Sequence, residues 1–136
     1  MIVIQDKLLK EKYILNVYCT DDWNSEISKV MLQGSLTQLK ETLEQIVQEN
    51  FRVKLFIDCT KGKLPSIQQG LKIAMFMKGI EGIIQNAVDF TVLYATTPIQ
   101  QSFMEQILKI YTPVRPIVIA KSVDELKNTL RNGPNN

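Results

Sequence analysis

"KLFIDCTKGKLPSIQQG", residues 54–70, decides how the chain is read. A dense apolar run ends in an acid, passes a cysteine, a threonine and a Lys-Gly-Lys, and reaches a Pro-Ser pair where the pattern changes. Extended back to Arg52, the run "RVKLFID" (52–58) is apolar on both faces apart from Lys54, the pattern of a strand covered on both sides. "PSIQQGLKIAMFMKG" (65–79) then repeats its apolar residues at helical spacing. Pro65 falls in the first turn, where its missing N–H costs nothing. A buried strand feeding a helix is the unit from which parallel sheets are built.

The same alternation continues toward the C-terminus. "VDFTVLYA" (88–95) is a second buried strand. Thr97-Pro98 with Gln100 opens a helix whose stripe is Ile99, Phe103, Ile107, Ile110 and Tyr111. "RPIVIA" (115–120) is the last strand, and Ser122 with Glu125 caps a final helix that turns Val123, Leu126 and Leu130 inward. Toward the N-terminus, "IVIQ" and "KYILNVYCT" read as strands around a turn at "DKLLKE". "TDDWNSE" is turn-like, with Trp23 placed to pack back on the sheet. "ISKVMLQG" reads as a third, weaker strand ended by Gly34. A helix then starts at Ser35, which has capping-box spacing to Gln38, and carries Leu36, Leu39, Leu43, Ile46 and Val47.

The predicted order is β-β-β-α-β-α-β-α-β-α. It implies one α/β domain over 1–131, with a mixed sheet, an antiparallel N-terminal strand pair, right-handed (βα) repeats and about four helices. The tail at 132–136 is expected to be disordered.

Composition narrows the chemistry. The 136 residues are 45% hydrophobic and 22% charged, as in an ordinary globular domain. Sixteen basic and fourteen acidic residues leave a net charge of +2. The basic ones are scattered, so no patch for nucleic acid is expected. Cys19 and Cys59 are too few and too far apart for a zinc site or a disulfide framework, and they read as reduced, buried residues of a cytoplasmic protein. The N-terminus lacks the sustained apolar core of a signal peptide, and no membrane span is expected. Histidine is absent, which removes the commonest general base and zinc ligand. No metal or cofactor is expected.

Asp58 ends a buried strand, where open α/β sheets place ligands. An aspartyl nucleophile acting with Lys61 or Lys63 would need a second carboxylate two residues on, and that residue is Thr60. Asp58 is therefore expected to accept hydrogen bonds from the loop that follows. Lys61-Gly62-Lys63 carries only one of the several glycines that a phosphate loop needs. Cys59 has no histidine to make it a thiolate. Ser66 is placed to cap the helix. Gly79 and Gly82 suggest a turn with a mobile apolar lip at Ile80, Ile83 and Ile84.

Two segments carry a resemblance. "VDFTVLYATTPIQQSFMEQILKIYTPVRPIVIAKSVDELKNTL" (88–130) resembles the C-terminal half of STAS domains, the anti-sigma-factor-antagonist family. "SKVMLQGSLT…LKETLEQIV…RVKLFIDCT" (28–60) resembles that family's strand, Gly-x-Leu turn, first helix and Asp-ended central strand. The resemblance implies a non-enzymatic regulatory module that binds a protein partner, an anti-sigma or kinase-like regulator, and leaves room for a homodimer. In that family a serine at the start of the helix after the central strand is phosphorylated, and Ser66 lies close to that place. Asp58, Thr60, Lys61 and Lys63 would flank it on a surface spanning 58–72, with no deep cavity. The related lipid-transfer-like branch fits equally. It implies an apolar ligand held between the 65–84 region and the sheet, with Met75, Phe76, Met77, Ile80, Ile83 and Ile84 as its lining.

Overall fold

The computed structural model describes residues 2–4, 14–19, 26–60 and 64–134. Five strands form one sheet: β1 (Ile2–Ile4), β2 (Ile14–Cys19), β3 (Val53–Asp58), β4 (Val88–Tyr94) and β5 (Ile117–Ala120), lying side by side in chain order. β1 runs antiparallel to β2, and β2 through β5 are parallel. Five helices join and flank them: α1 (Glu26–Gln48), α2 (Ile67–Gly79), α3 (Glu81–Ala87), α4 (Pro98–Ile110) and α5 (Val123–Asn132).

Register makes the two faces of the sheet unlike. Leu15, Leu55, Thr91 and Ile117 form one transverse row, and Val17, Ile57, Leu93 and Ile119 form the next on the same face. Strands that step in one direction through right-handed crossovers put every crossover on a single face. α1, α3 and α4 accordingly pack on these rows. The opposite face carries Phe90, Val92 and Ala120, covered by Leu126 and Leu130 of α5.

Three expectations need correcting at the N-terminal end. "ISKVMLQG" is not a strand. It is part of the 23-residue helix α1, so the Gly-x-Leu turn and the Ser35–Gln38 cap do not exist, and Ser35 lies inside the helix. The reason is a buried stripe that passes straight through Gly34: Leu32, Leu36, Leu39, Leu43 and Ile46 recur at spacings of four, three, four and three. Burial of such side chains against a core is worth about 1.5–3 kcal/mol each, which outweighs the roughly 1 kcal/mol that a mid-helix glycine costs. The antiparallel start is thus one three-residue edge strand. The supposed turn at "DKLLKE" and the place of Trp23 lie outside the described residues.

Two corrections lie further along. The apolar lip after Gly79 is the short helix α3, whose Ile80 and Ile84 are buried in the core, which makes five helices and not four. α5 extends through Asn132 and Gly133 is its C-cap, so Asn132 is helical and not part of a tail; 135–136 lie outside the described residues.

Two basic side chains fasten helix ends. Arg52 donates to Asp89 Oδ1 at 2.7 Å and to the carbonyls of Gln85, Asn86 and Val88, satisfying acceptors that α3 leaves open at its C-terminus. Lys54, the one polar residue in the apolar run of β3, donates to the Leu130 carbonyl near the end of α5 and lies over the Phe90 ring.

Gly34 has open space where a Cβ would sit. Gly34→Ala should therefore stabilise the protein by about 0.5–1 kcal/mol in urea denaturation, through helix propensity alone. A loss of stability would instead support a strand ending at that glycine.

Candidate functional site

The junction between β3 and α2 is held by its own side chains. Asp58 Oδ1 accepts from the Thr60 backbone N–H at 2.9 Å and from the Thr60 hydroxyl, closing the turn that ends the strand. Both residues are thus engaged with each other. Lys61 and Lys63 lie outside the described residues.

Ser66 is the exposed N-cap of α2, with Pro65 just ahead of the helix and not within its first turn. Its hydroxyl accepts from Gln69 N–H at 3.2 Å, and the Gln69 side chain accepts from Ser66 N–H at 3.1 Å. This reciprocal box satisfies two of the donors that a helix N-terminus leaves open. Thr97 and Gln100 repeat the arrangement on α4, where Pro98 occupies the first turn.

Beneath α2 and α4 lies a cavity of about 140 Å³. Its floor is the covered face of the sheet, at Val17, Ile57, Thr91, Leu93 and Ile117. α1 contributes Leu36 and Leu39, and α2 contributes Gly70, Ile73, Ala74 and Met77. Phe103, Met104, Ile107 and Leu108 of α4 form the far wall. Leu64 and Pro65 line one end, and Tyr111 with Pro113, Val114 and Arg115 line another. Gly70 sets how near the two roof helices come. A Cβ there would stand 2.8 Å from Phe103 Cζ and 2.9 Å from Ile107 Cδ1. Any larger residue there would push those two side-chain tips away from α2.

Few polar groups belong to this lining. Thr91 is 6% exposed, and its backbone N–H donates to the Pro116 carbonyl at 2.9 Å. Its hydroxyl has no hydrogen-bond partner among the described residues. Arg115 uses Nε and Nη2 on the Asp89 carbonyl, at 3.1 and 3.0 Å. Burial, and secondarily the Glu81 carboxylate, push the Tyr111 phenol above its ordinary value of 10.0, so it remains a neutral hydroxyl at physiological pH. Cys59 is buried at the end of β3, and its thiol lies 3.8 Å from the Ile57 carbonyl.

Of the six residues expected as a ligand lining, Met75, Phe76, Ile80 and Ile83 do not line this cavity. Met75 is 67% exposed, and with Phe76 it borders a separate groove of about 460 Å³ between α1 and α2, where Gln33, Gln68 and Lys72 make the walls more polar. Ile80 belongs to the core, and Ile83 packs against it. Of the wider set, Met77 and Ile84 do line the cavity. Thr91, Ala74 and the α4 wall were not singled out from the sequence. The α4 stripe at Phe103 and Ile107 was visible, but nothing in it told a cavity wall from filled core.

Among the described residues, no cluster of three or more Cys, Asp or Glu could hold a metal ion, and no helix is long and apolar enough to cross a membrane. No protein-family model, curated protein or solved structure matches the chain.

Replacing Ser66 removes the acceptor for the α2 cap. Ser66→Ala should cost about 1 kcal/mol in urea denaturation, and Ser66→Asp, which keeps an acceptor, should cost less than half of that. Equal losses in the two variants would show that the cap contributes nothing to stability.

Proposed function

We propose that the chain is a non-enzymatic binding domain that takes a small apolar molecule into the cavity between α2, α4 and the sheet. The observation that carries this is the apolar hollow itself. Interiors are close-packed, with few voids larger than a water molecule. An engineered apolar cavity of about 150 Å³ stays dry and binds benzene. The space of about 140 Å³ beneath α2 has comparable volume and a nearly all-hydrocarbon lining. Leaving it unfilled costs dispersion contacts, so a guest of matching size adds stability. The guest would have about six non-hydrogen atoms inside the protein, on the scale of benzene.

A second proposal, a phospho-regulated interaction module of the STAS kind, draws on the exposure of Ser66 at the start of α2. A phosphate there would meet the positive end of the helix. The neighbouring Pro65 lines the cavity, so a partner bound at Ser66 would sit beside the proposed ligand. Recovery of a protein partner by wild type but not by Ser66→Asp would support this role. Identical recoveries would remove it.

Benzene is the probe for the first proposal. In 1H–15N spectra of the purified protein it should shift the amides of Ala74, Thr91 and Ile107 and leave α5 unmoved. Ala74→Leu fills the space. It should abolish those shifts and raise stability by about 0.5–2 kcal/mol. Unperturbed wild-type spectra near benzene saturation would end the proposal.

A further inference from the structure

Of the few polar groups that border the hollow, one stands in its floor. Thr91 stands in the middle of the floor row, between Leu55 and Ile117, where its neighbours are aliphatic. It is more than nine-tenths buried and borders the cavity, and its hydroxyl has no partner among the described residues. A buried hydroxyl without a hydrogen bond is destabilising, and valine would fill the same shape in a strand without that penalty. Water is a poor remedy. A buried water needs about two to four polar partners, and the other polar side chains bordering the hollow, Tyr111 and Arg115, belong to the loop before β5, outside the floor row. A ligand carrying one polar atom would meet the hydroxyl and leave the rest of its surface against carbon.

Resting on the reading of the hollow as an apolar-ligand site, we propose that the site selects a compact apolar molecule bearing a single uncharged hydroxyl or carbonyl group, hydrogen-bonded to the Thr91 hydroxyl. A hydroxyl both donates and accepts, so either ligand group is served. The group is uncharged because Thr91 brings no charge, and a carboxylate moved into hydrocarbon loses its solvation without return. The nearest alternative for an acid is Arg115, which also borders the hollow but has two of its N–H groups committed to the Asp89 carbonyl. Selectivity would follow from what is left unpaired. In a purely hydrocarbon cavity phenol is rejected relative to benzene, because its hydroxyl would be buried alone. In this one phenol is accepted.

The test compares benzene, phenol and benzoate on the full chain by titration in 1H–15N spectra, with wild type and Thr91→Val. Wild type is expected to take phenol at least as tightly as benzene and to refuse benzoate. Thr91→Val should keep benzene, lose roughly 5- to 100-fold in phenol affinity, and gain stability. Phenol binding that the valine leaves unchanged overturns the assignment, as does a wild type that takes benzene and refuses phenol. In both cases the apolar site itself survives. Benzoate bound more tightly than phenol also overturns it, in favour of Arg115. If benzene itself fails to bind, the apolar-site reading falls, and this assignment with it. The wild-type comparison needs no variant, so a misfolded Thr91→Val would not shield the proposal.

Discussion

The structure depends on a single constraint of winding. Because β2 to β5 lie in chain order and all point one way, every crossover must return over the same face. Five strands spaced about 4.8 Å apart span about 19 Å from first to last. Helices pack about 8–10 Å apart, so the four helices of that face, set abreast, would need about 24–30 Å. They do not all fit flat on the strands. α1, α3 and α4 take the places against the sheet, and α2 is held chiefly by α3 and α4. The hollow lies beneath α2, between the floor and the α4 wall. Gly70 lets those two helices close over it without sealing it.

This also explains which parts of the fold were legible in the sequence. β3, β4 and β5 announce themselves because each is a short run dominated by Val, Ile, Leu and Phe between polar or turn residues. Lys54 broke that pattern, and the structure accounts for it as the anchor of α5. The helix starts at Ser66, Thr97 and Ser122 were visible because a cap is a local device whose spacing is fixed within four residues. α1 was half missed for the same reason. Gly34-Ser35 looks like a stop and a cap locally, while the stripe from Leu32 to Ile46 that overrides it is a tertiary effect. α3 was hidden by its brevity and by Gly82, and only its packing against α1 makes it a helix.

The candidate site was far less legible than the fold. Its walls come from α1, α2, α3, α4, four strands and the loop before β5, so no contiguous motif describes it. The conspicuous chemistry of Asp58, Thr60 and Ser66 turned out to be used up in a turn and a cap. The methionine-rich segment pointed to the right helix without telling its two sides apart: Met77 lines the hollow, and Met75, about 200° away on a helix that rotates 100° per residue, is exposed. Thr91 was overlooked because a threonine within a strand is unremarkable until its surroundings are known.

The neighbour-to-neighbour order of the strands also fixes when the molecule can be completed. Each strand pairs only with its neighbours in chain order, although every parallel pair must first close a whole helical crossover, so the sheet can be assembled in the order of synthesis. β5 and the loop from Tyr111 follow the other four strands in the chain, and they supply part of both the floor and the rim of the hollow. A nascent chain halted before Tyr111 would hold its other strands in place while leaving an oily seam open to chaperones and to other unfinished copies. The exposure ends only when β5 pairs with β4.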